Sequence, residues 1–501
     1  MGECEDASRS NGLGWCTPMT SGANSHLVRN LSVARSYTDG PLNLLCASVL
    51  ILACAASGCV IADILSLLTL TVYIAVLLVR HPEDFCKYFV FCFAAVANIA
   101  GTAVVEFSGV TLGEIAQVGS YVGSLPLLVF SRWLFLAIVV GLGDKLEMSL
   151  RAPLLREETY TWFSTIVKLI VAALAVLLAD SLLSPPAFLL GVDRFVYADL
   201  SKSSFPIEII KKIALYLTFP LVLSVKSGSK KWGVAGICLY VIYLLWTGNK
   251  FGSFLNLVSV FLIVFYKELG LFLRCRLKAA MALGVALFMA ALCTTAVLYG
   301  FTDSNTTAGQ YLFSRTAQQG QLWWATYASG ERATGDEEFA LELNGALHGS
   351  SSISENVGSK YGIYGVMYRV APSEKVDAKL MTGSRYTEGG YAAALYYGGS
   401  TGVIIFSGIM AIGVAVIVQR LIWALRELKI VDVILLARLF FVIQTSLSMF
   451  TFSDLVDPLS LASYGYLIVS WLMSKKRQKS EKDRLLPRGS RLIAQKCVKT
   501  Y

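Results

Sequence analysis

Apolar segments, each long enough to cross a bilayer, follow one another from residue 42 to residue 474 of this chain, with one long interruption between about Phe301 and Tyr397. A helix needs roughly 20 mostly apolar residues to cross about 30 Å of hydrocarbon. By that ruler the sequence holds about twelve spans, at 42–60, 62–79, 86–105, 123–143, 160–183, 207–225, 232–248, 251–266, 279–300, 398–418, 431–451 and 457–474. The expected fold is therefore an all-α polytopic membrane protein. A segment 1–41 leads into a bundle over 42–300, a mainly helical loop or cap occupies 301–397, a smaller bundle covers 398–474, and a basic tail runs from 475 to 501. Loops longer than about 15 residues without structure of their own are uncommon unless functional, so the long polar segment is the expected working site.

Composition agrees with this layout. With 55% hydrophobic and 15% charged residues among 501, and a mean hydropathy of +0.61, the chain is too apolar for a soluble protein of its size. The net charge of +9 lies in short loops and in the tail after Trp471, which reads as topology and anchoring at an anionic leaflet rather than nucleic-acid binding. None of the 11 cysteines falls in the long polar segment, and no CxxC pair or cysteine and histidine cluster suggests a metal. No early apolar core marks a cleavable leader in the first forty residues, so the first span is expected to serve as the insertion signal. Neither a fixed-period repeat nor an inverted pair of interrupted spans is evident, which weakens a transporter reading.

Orientation follows from the cations. Arg80 and Lys87, then Lys145, Arg151 and Arg156, then Lys226, Lys230 and Lys231, then Lys267, Arg274, Arg276 and Lys278, and finally Arg420, Arg426 and Lys429 occupy alternate connections. The connections at 106–122 and 452–456 hold no Lys or Arg. The positive-inside rule then puts both termini in the cytoplasm and the long polar loop outside.

Within that loop, helical spacing places Arg315, Gln318, Gln319 and Leu322 on one face and Thr316, Gly320, Trp323 and Tyr327 on another. Such a helix suits the interface, with tryptophans at headgroup depth and polar donors toward a substrate; a surface helix anchored by Trp alone fits equally. Arg385 lies in Gly383-Ser384-Arg385-Tyr386-Thr387-Glu388-Gly389-Gly390, where backbone N–H groups and a guanidinium can hold phosphate oxygens, although the same residue types mark ordinary turns. Lys250, in the hairpin Thr247-Gly248-Asn249-Lys250-Phe251-Gly252, is a cation on the outer side, with Asp193, Arg194, Lys202, Lys211 and Lys212 nearby. Such a rim suits an anionic lipid headgroup, and a snorkelling lysine is the alternative. Arg132, Lys168 and Arg438 fall inside spans and should face the bundle interior or snorkel; Arg438 has Asp432 and Gln444 as nearby polar residues. As general base the outer residues offer His348, or the carboxylates of Glu355, Glu388 and Glu114.

At these residues the chain resembles the Wzy-type oligosaccharide repeat-unit polymerases of bacterial O-antigen and capsule synthesis. The resemblance rests on the span layout, the hairpin at 247–252, the Arg315 to Trp324 segment, Met367-Tyr368 to Ala371-Pro372, and Gly383 to Glu388. It implies an inner-membrane, metal-independent glycosyltransferase that lengthens undecaprenyl-diphosphate-linked glycans, with no cofactor, among membrane lipids and beside a chain-length regulator protein. By that resemblance Arg315, Arg385, Lys250 and Arg194 bind diphosphate. Gln318, Gln321, Trp323, Tyr386 and Arg369 contact sugar, and His348 or Glu388 is the base. The outer loops lack a DxD-type metal motif. The O-antigen ligases share layout and donor, and a flippase or transporter of lipid-linked oligosaccharide is the reading from another class.

Overall fold

A computed structural model of the chain describes residues 24–149, 158–190, 197, 203–226, 229–249, 251–279, 282, 284, 286, 308–333, 362–381, 384–450 and 452–470. The first helices are α1 (Asn24–Ala55), α2 (Val60–Arg80) and α3 (Pro82–Ser108), followed by a two-stranded antiparallel hairpin, β1 (Thr111–Leu112) with β2 (Gln117–Val118). Next come α4 (Leu125–Ser149), α5 (Glu158–Leu182), the short α6 (Ala187–Leu190), α7 (Phe205–Lys226), α8 (Lys230–Trp246), α9 (Phe251–Val264) and α10 (Tyr266–Cys275). The polar segment contributes α11 (Ala308–Gln318), α12 (Gln321–Ser329), α13 (Gly362–Val370) and α14 (Ser373–Met381). Last are α15 (Gly389–Arg426), α16 (Ile430–Met449), α17 (Phe452–Val456) and helical residues 458–470.

Sequence explains the boundaries. Pro82 stands at the first helical position of α3, where its missing N–H costs nothing, and Glu83 and Asp84 follow in the first turn, where the helix dipole favours acids. Gly109, at φ +62°, ends the same helix in the left-handed conformation.

Among the described residues six helices are long and apolar enough to cross a membrane, or seven if the bent pair α9 and α10 is counted as one span. This is an all-α membrane protein with several spans. Of about twelve expected spans, 42–60 meets an apolar stretch limited to Gly40–Ala55, 457–474 meets helical residues 458–470, and 279–300 lies almost wholly outside the described residues. The region around 207–225 begins with Glu208, Lys211 and Lys212, and α8 has only 17 residues, which is why these two fall short of a full apolar crossing. Lys267 and Arg274, expected in a loop, lie on α10, which turns 88° away from α9.

Helix α15 runs along α4 and α16 at the centre, α1 and α2 flank α4, and α5, α7 and α8 form a second group joined to the first through α16 and α9. A large apolar core fills the bundle, with Phe163, Phe219, Val260, Val403 and Val433 all fully buried. A second, separate core joins the end of α3 and the hairpin to α11–α14 and the start of α15, around Leu112, Ile115, Leu322, Trp324, Met367 and Tyr396. The polar segment is thus folded as a helical cap on one end of the bundle, and the hairpin between α3 and α4 belongs to it.

Candidate functional site

The cap is seated by backbone contact. A Cβ on Gly101 of α3 would lie 2.5 Å from the carbonyl oxygen of Thr316, and one on Gly320 would overlap the backbone of Thr102. Two glycines therefore let α3 and the elbow between α11 and α12 touch without side chains between them. That elbow breaks the single amphipathic helix expected over Arg315–Tyr327. The headgroup-depth placement of the tryptophans gives way with it: Trp323 is fully buried, Trp324 nearly so, and the Trp324 indole N–H donates to the Ser120 carbonyl at 2.8 Å. Helical periodicity identified two faces, and the break at Gly320 turned the aromatic one inward.

Glu114, weighed as a base, is instead the polar hub of the cap. Its carboxylate accepts from Gln321 and from Lys379 at 2.7 Å, and its backbone carbonyl accepts from the Tyr386 hydroxyl at 2.9 Å. Gln321 and Tyr386, expected to contact sugar, are thereby buried and spoken for by the hairpin. Thr387 donates to the Gln318 carbonyl at 2.6 Å, tying the segment ahead of α15 to the end of α11.

Arg385 lies in that segment, between α14 and α15. Its guanidinium is 5.6 Å from the ring centre of Tyr364, and its Nε and Nη1 are buried with no hydrogen-bond partner among the described residues. A buried donor left unpaired costs about 1–3 kcal/mol. Such a cost is recovered when an anion arrives, and a planar guanidinium matches phosphate or carboxylate geometry.

Three residues on, Glu388 takes the left-handed conformation, φ +68°, as the cap of α15. Gly389 and Gly390 follow it because they pack against the backbone of Leu447 and Met449 at the end of α16. The Glu388 carboxylate is fully buried and accepts from Arg132 Nη2 at 2.5 Å, and the Arg132 guanidinium stacks 3.8 Å from the ring centre of Tyr391. Burial raises the Glu388 carboxyl to about 7, against the Arg132 guanidinium, which lowers it. As described, Glu388 is an ion-pair partner inside the protein, with no surface open to a substrate hydroxyl, so the base role expected for it lacks the access it needs. Reading the sequence placed Arg132 in the interior and Glu388 in the loop without joining them; an Arg within one apolar span and a carboxylate just ahead of another was the available signal.

The remaining residues separate. Arg315 is exposed and donates to Gln318 at 2.8 Å. Arg369 faces Glu331 at 3.5 Å and the Tyr396 ring at 4.9 Å, on the cap's flank. Arg438 pairs with Asp457 at 2.7 Å and Ser460 at 2.8 Å, not with Asp432 or Gln444; Gln444 reaches Asn256 and Asp432 accepts from Tyr466. Lys168 is exposed, 6.0 Å from the Trp232 ring centre, and Lys211 pairs with Glu208. His348, Glu355, Lys250, Asp193, Arg194 and Lys202 lie outside the described residues. The structure thus joins Glu388 to Arg132, three residues along the chain from Arg385, while Arg385 faces Tyr364, Gln321 and Tyr386 meet at Glu114, and Gln318 is tied to Thr387.

Residues 356–462 match a protein family of unknown function, DUF6418. The matched stretch holds α13–α17, and with them Arg369, Arg385, Glu388 and the whole of α15. No curated protein and no solved structure matches the chain.

Proposed function

We propose that this chain is a metal-independent glycosyltransferase of the bacterial inner membrane that polymerises undecaprenyl-diphosphate-linked oligosaccharide repeat units, with its cap in the periplasm and both termini in the cytoplasm. The observation that carries the proposal is Arg385, a cation with two buried N–H groups that have no hydrogen-bond partner among the described residues, held in a helical cap at the end of a membrane bundle. In this reading Arg385 receives the diphosphate of the glycan donor. The bond from the anomeric carbon to the diphosphate breaks, the acceptor hydroxyl oxygen forms the new bond, its proton passes to His348, and the lipid diphosphate departs with its charge stabilised by the guanidinium. Arg132 and Glu388 hold the segment that carries Arg385, while Arg315, Lys250 and Arg194 are the further diphosphate-binding residues that the resemblance implies.

The experiment is deletion of the gene in its host, with surface polysaccharide run on a gel beside the strain complemented with wild type, Arg385→Ala or Arg315→Ala. Single repeat units on the lipid core with no ladder are expected from the deletion and from Arg385→Ala at normal membrane abundance. Loss of all glycan from the core with polymer kept on the carrier would make the protein a ligase, repeat units trapped on the cytoplasmic face would make it a flippase, and an unchanged ladder would remove the glycan reading.

A further inference from the structure

Helix α10 lies at the end of the bundle away from the cap, where α2 passes to α3 and α15 ends. It is clamped on its inner side. Tyr266 is buried under the Lys87 ammonium, 4.9 Å from its ring centre, and its hydroxyl accepts from Arg426. Gly270 sits against Glu83 so closely that a Cβ would be 2.6 Å from the Glu83 Cγ. Glu268 is neutralised by Lys226 at 2.5 Å. The 88° turn sets α10 perpendicular to the apolar α9, so with α9 upright among the spans α10 lies along the membrane surface.

Its outer side has a different character. Lys267, Leu271 and Arg274 follow one another at i, i+4 and i+7, and Leu271 and Phe272 are 56% and 39% exposed. Arg276 and Lys278, also exposed, continue the basic run beyond the helix. Four cations, with the one acid of the helix already paired, surround two apolar side chains on an element lying in the membrane plane. Soluble protein surfaces rarely combine these features, whereas an interfacial helix needs all of them: apolar groups for the acyl boundary and cations for phosphates.

We propose that the outward face of α10, with Arg276 and Lys278, is a binding surface for the headgroups of anionic phospholipids. Leu271 and Phe272 enter the acyl boundary, and Lys267, Arg274, Arg276 and Lys278 contact headgroup phosphates. The clamp on Tyr266 and Gly270 fixes the cations at one depth, so they act together on one or two lipids.

The test uses the full chain in nanodiscs of phosphatidylcholine and phosphatidylglycerol mixed at about three to one, an anionic fraction of the order that attracts juxtamembrane cations. After extraction into neutral detergent, the lipid retained on the protein is quantified by mass spectrometry. Wild type should retain phosphatidylglycerol above the supplied ratio. The variant Lys267→Gln/Arg274→Gln/Arg276→Gln/Lys278→Gln should lower that retention at least about fivefold, the effect of one surface cation or more. Lys230→Gln/Lys231→Gln and the charge-keeping Lys267→Arg/Lys278→Arg should leave it unchanged, and an unfolding midpoint of the fourfold variant equal to that of wild type shows that it is folded. Retention at the supplied ratio by wild type, equal retention by the fourfold variant, or loss of a co-purifying protein with lipid retention untouched would each overturn the proposal.

Discussion

Arg132 and Glu388, 256 residues apart in the chain, meet inside the protein with Nη2 2.5 Å from Oε1, the guanidinium 5% and the carboxylate 0% exposed. This pair fastens the segment bearing Arg385 to the centre of the bundle. Removing one member of a buried pair strands the other charge, at a cost of about 3–5 kcal/mol. Arg132→Ala should therefore lower unfolding stability in detergent by about that amount, whereas Arg132→Leu/Glu388→Leu should recover most of it. A single variant as stable as wild type would show that the pair does not hold this junction.

The same carboxyl gives stability a pH dependence. Its folded value of about 7 lies above its ordinary 4.5, so its contribution is complete below the ordinary value and is lost as pH rises through the folded one. Acidification from about pH 8 to about pH 6 should raise the unfolding midpoint of wild type relative to Glu388→Gln, which has no proton to gain. Parallel pH profiles for the two proteins would contradict this.

Arg385→Met should separate stability from function. Since two guanidinium N–H groups are buried without partners among the described residues, replacing them with an apolar chain should leave stability unchanged or raise it by up to about 1 kcal/mol, while the polysaccharide ladder disappears. Thermal unfolding of the purified variant, set beside the gel, checks both halves.

At the seat of the cap, Gly320→Ala would drive a methyl group into the backbone of Thr102. Neither side can yield easily, so a loss of about 1–3 kcal/mol is expected, together with faster proteolysis of α11 and α12 than of the bundle. Cleavage at wild-type rates would mean that the two backbones part without penalty.

Gly399 stands at φ +58°, ψ −155° inside α15, a region that essentially only glycine occupies. Gly399→Ala should cost about 1–3 kcal/mol, measured as the shift in unfolding midpoint. Gly398→Ala, where a Cβ would meet nothing within 4 Å, is the control and should cost nothing on steric grounds.

These apolar helices were legible because hydropathy is local: α2, α3, α4, α5 and α16 begin and end within a few residues of where their apolar runs do. Local pattern also carried the expectation of a helical cap. It did not reveal that Glu114, in the hairpin between α3 and α4, would hold Gln321, Lys379 and Tyr386, because pairing across more than 200 residues leaves no trace in spacing. Asp432 and Gln444 are the polar residues near Arg438 along its own helix, yet its partner Asp457 comes from the bend after α17. The inward placement of Trp323 depended on Gly320 ending one helix and capping the next, which period alone does not distinguish from a tolerated glycine.

The break at Gly399 divides α15 into a transmembrane shaft and a ten-residue arm that ends at Glu388. At about 1.5 Å per residue the arm is about 15 Å long. Its tip is pinned by the Arg132–Glu388 pair and by the packing of Gly389 and Gly390 on the backbone of Met449 and Leu447. The arm is therefore a bracket, and the turn at Gly399 sets where the segment bearing Arg385 stands on the bundle.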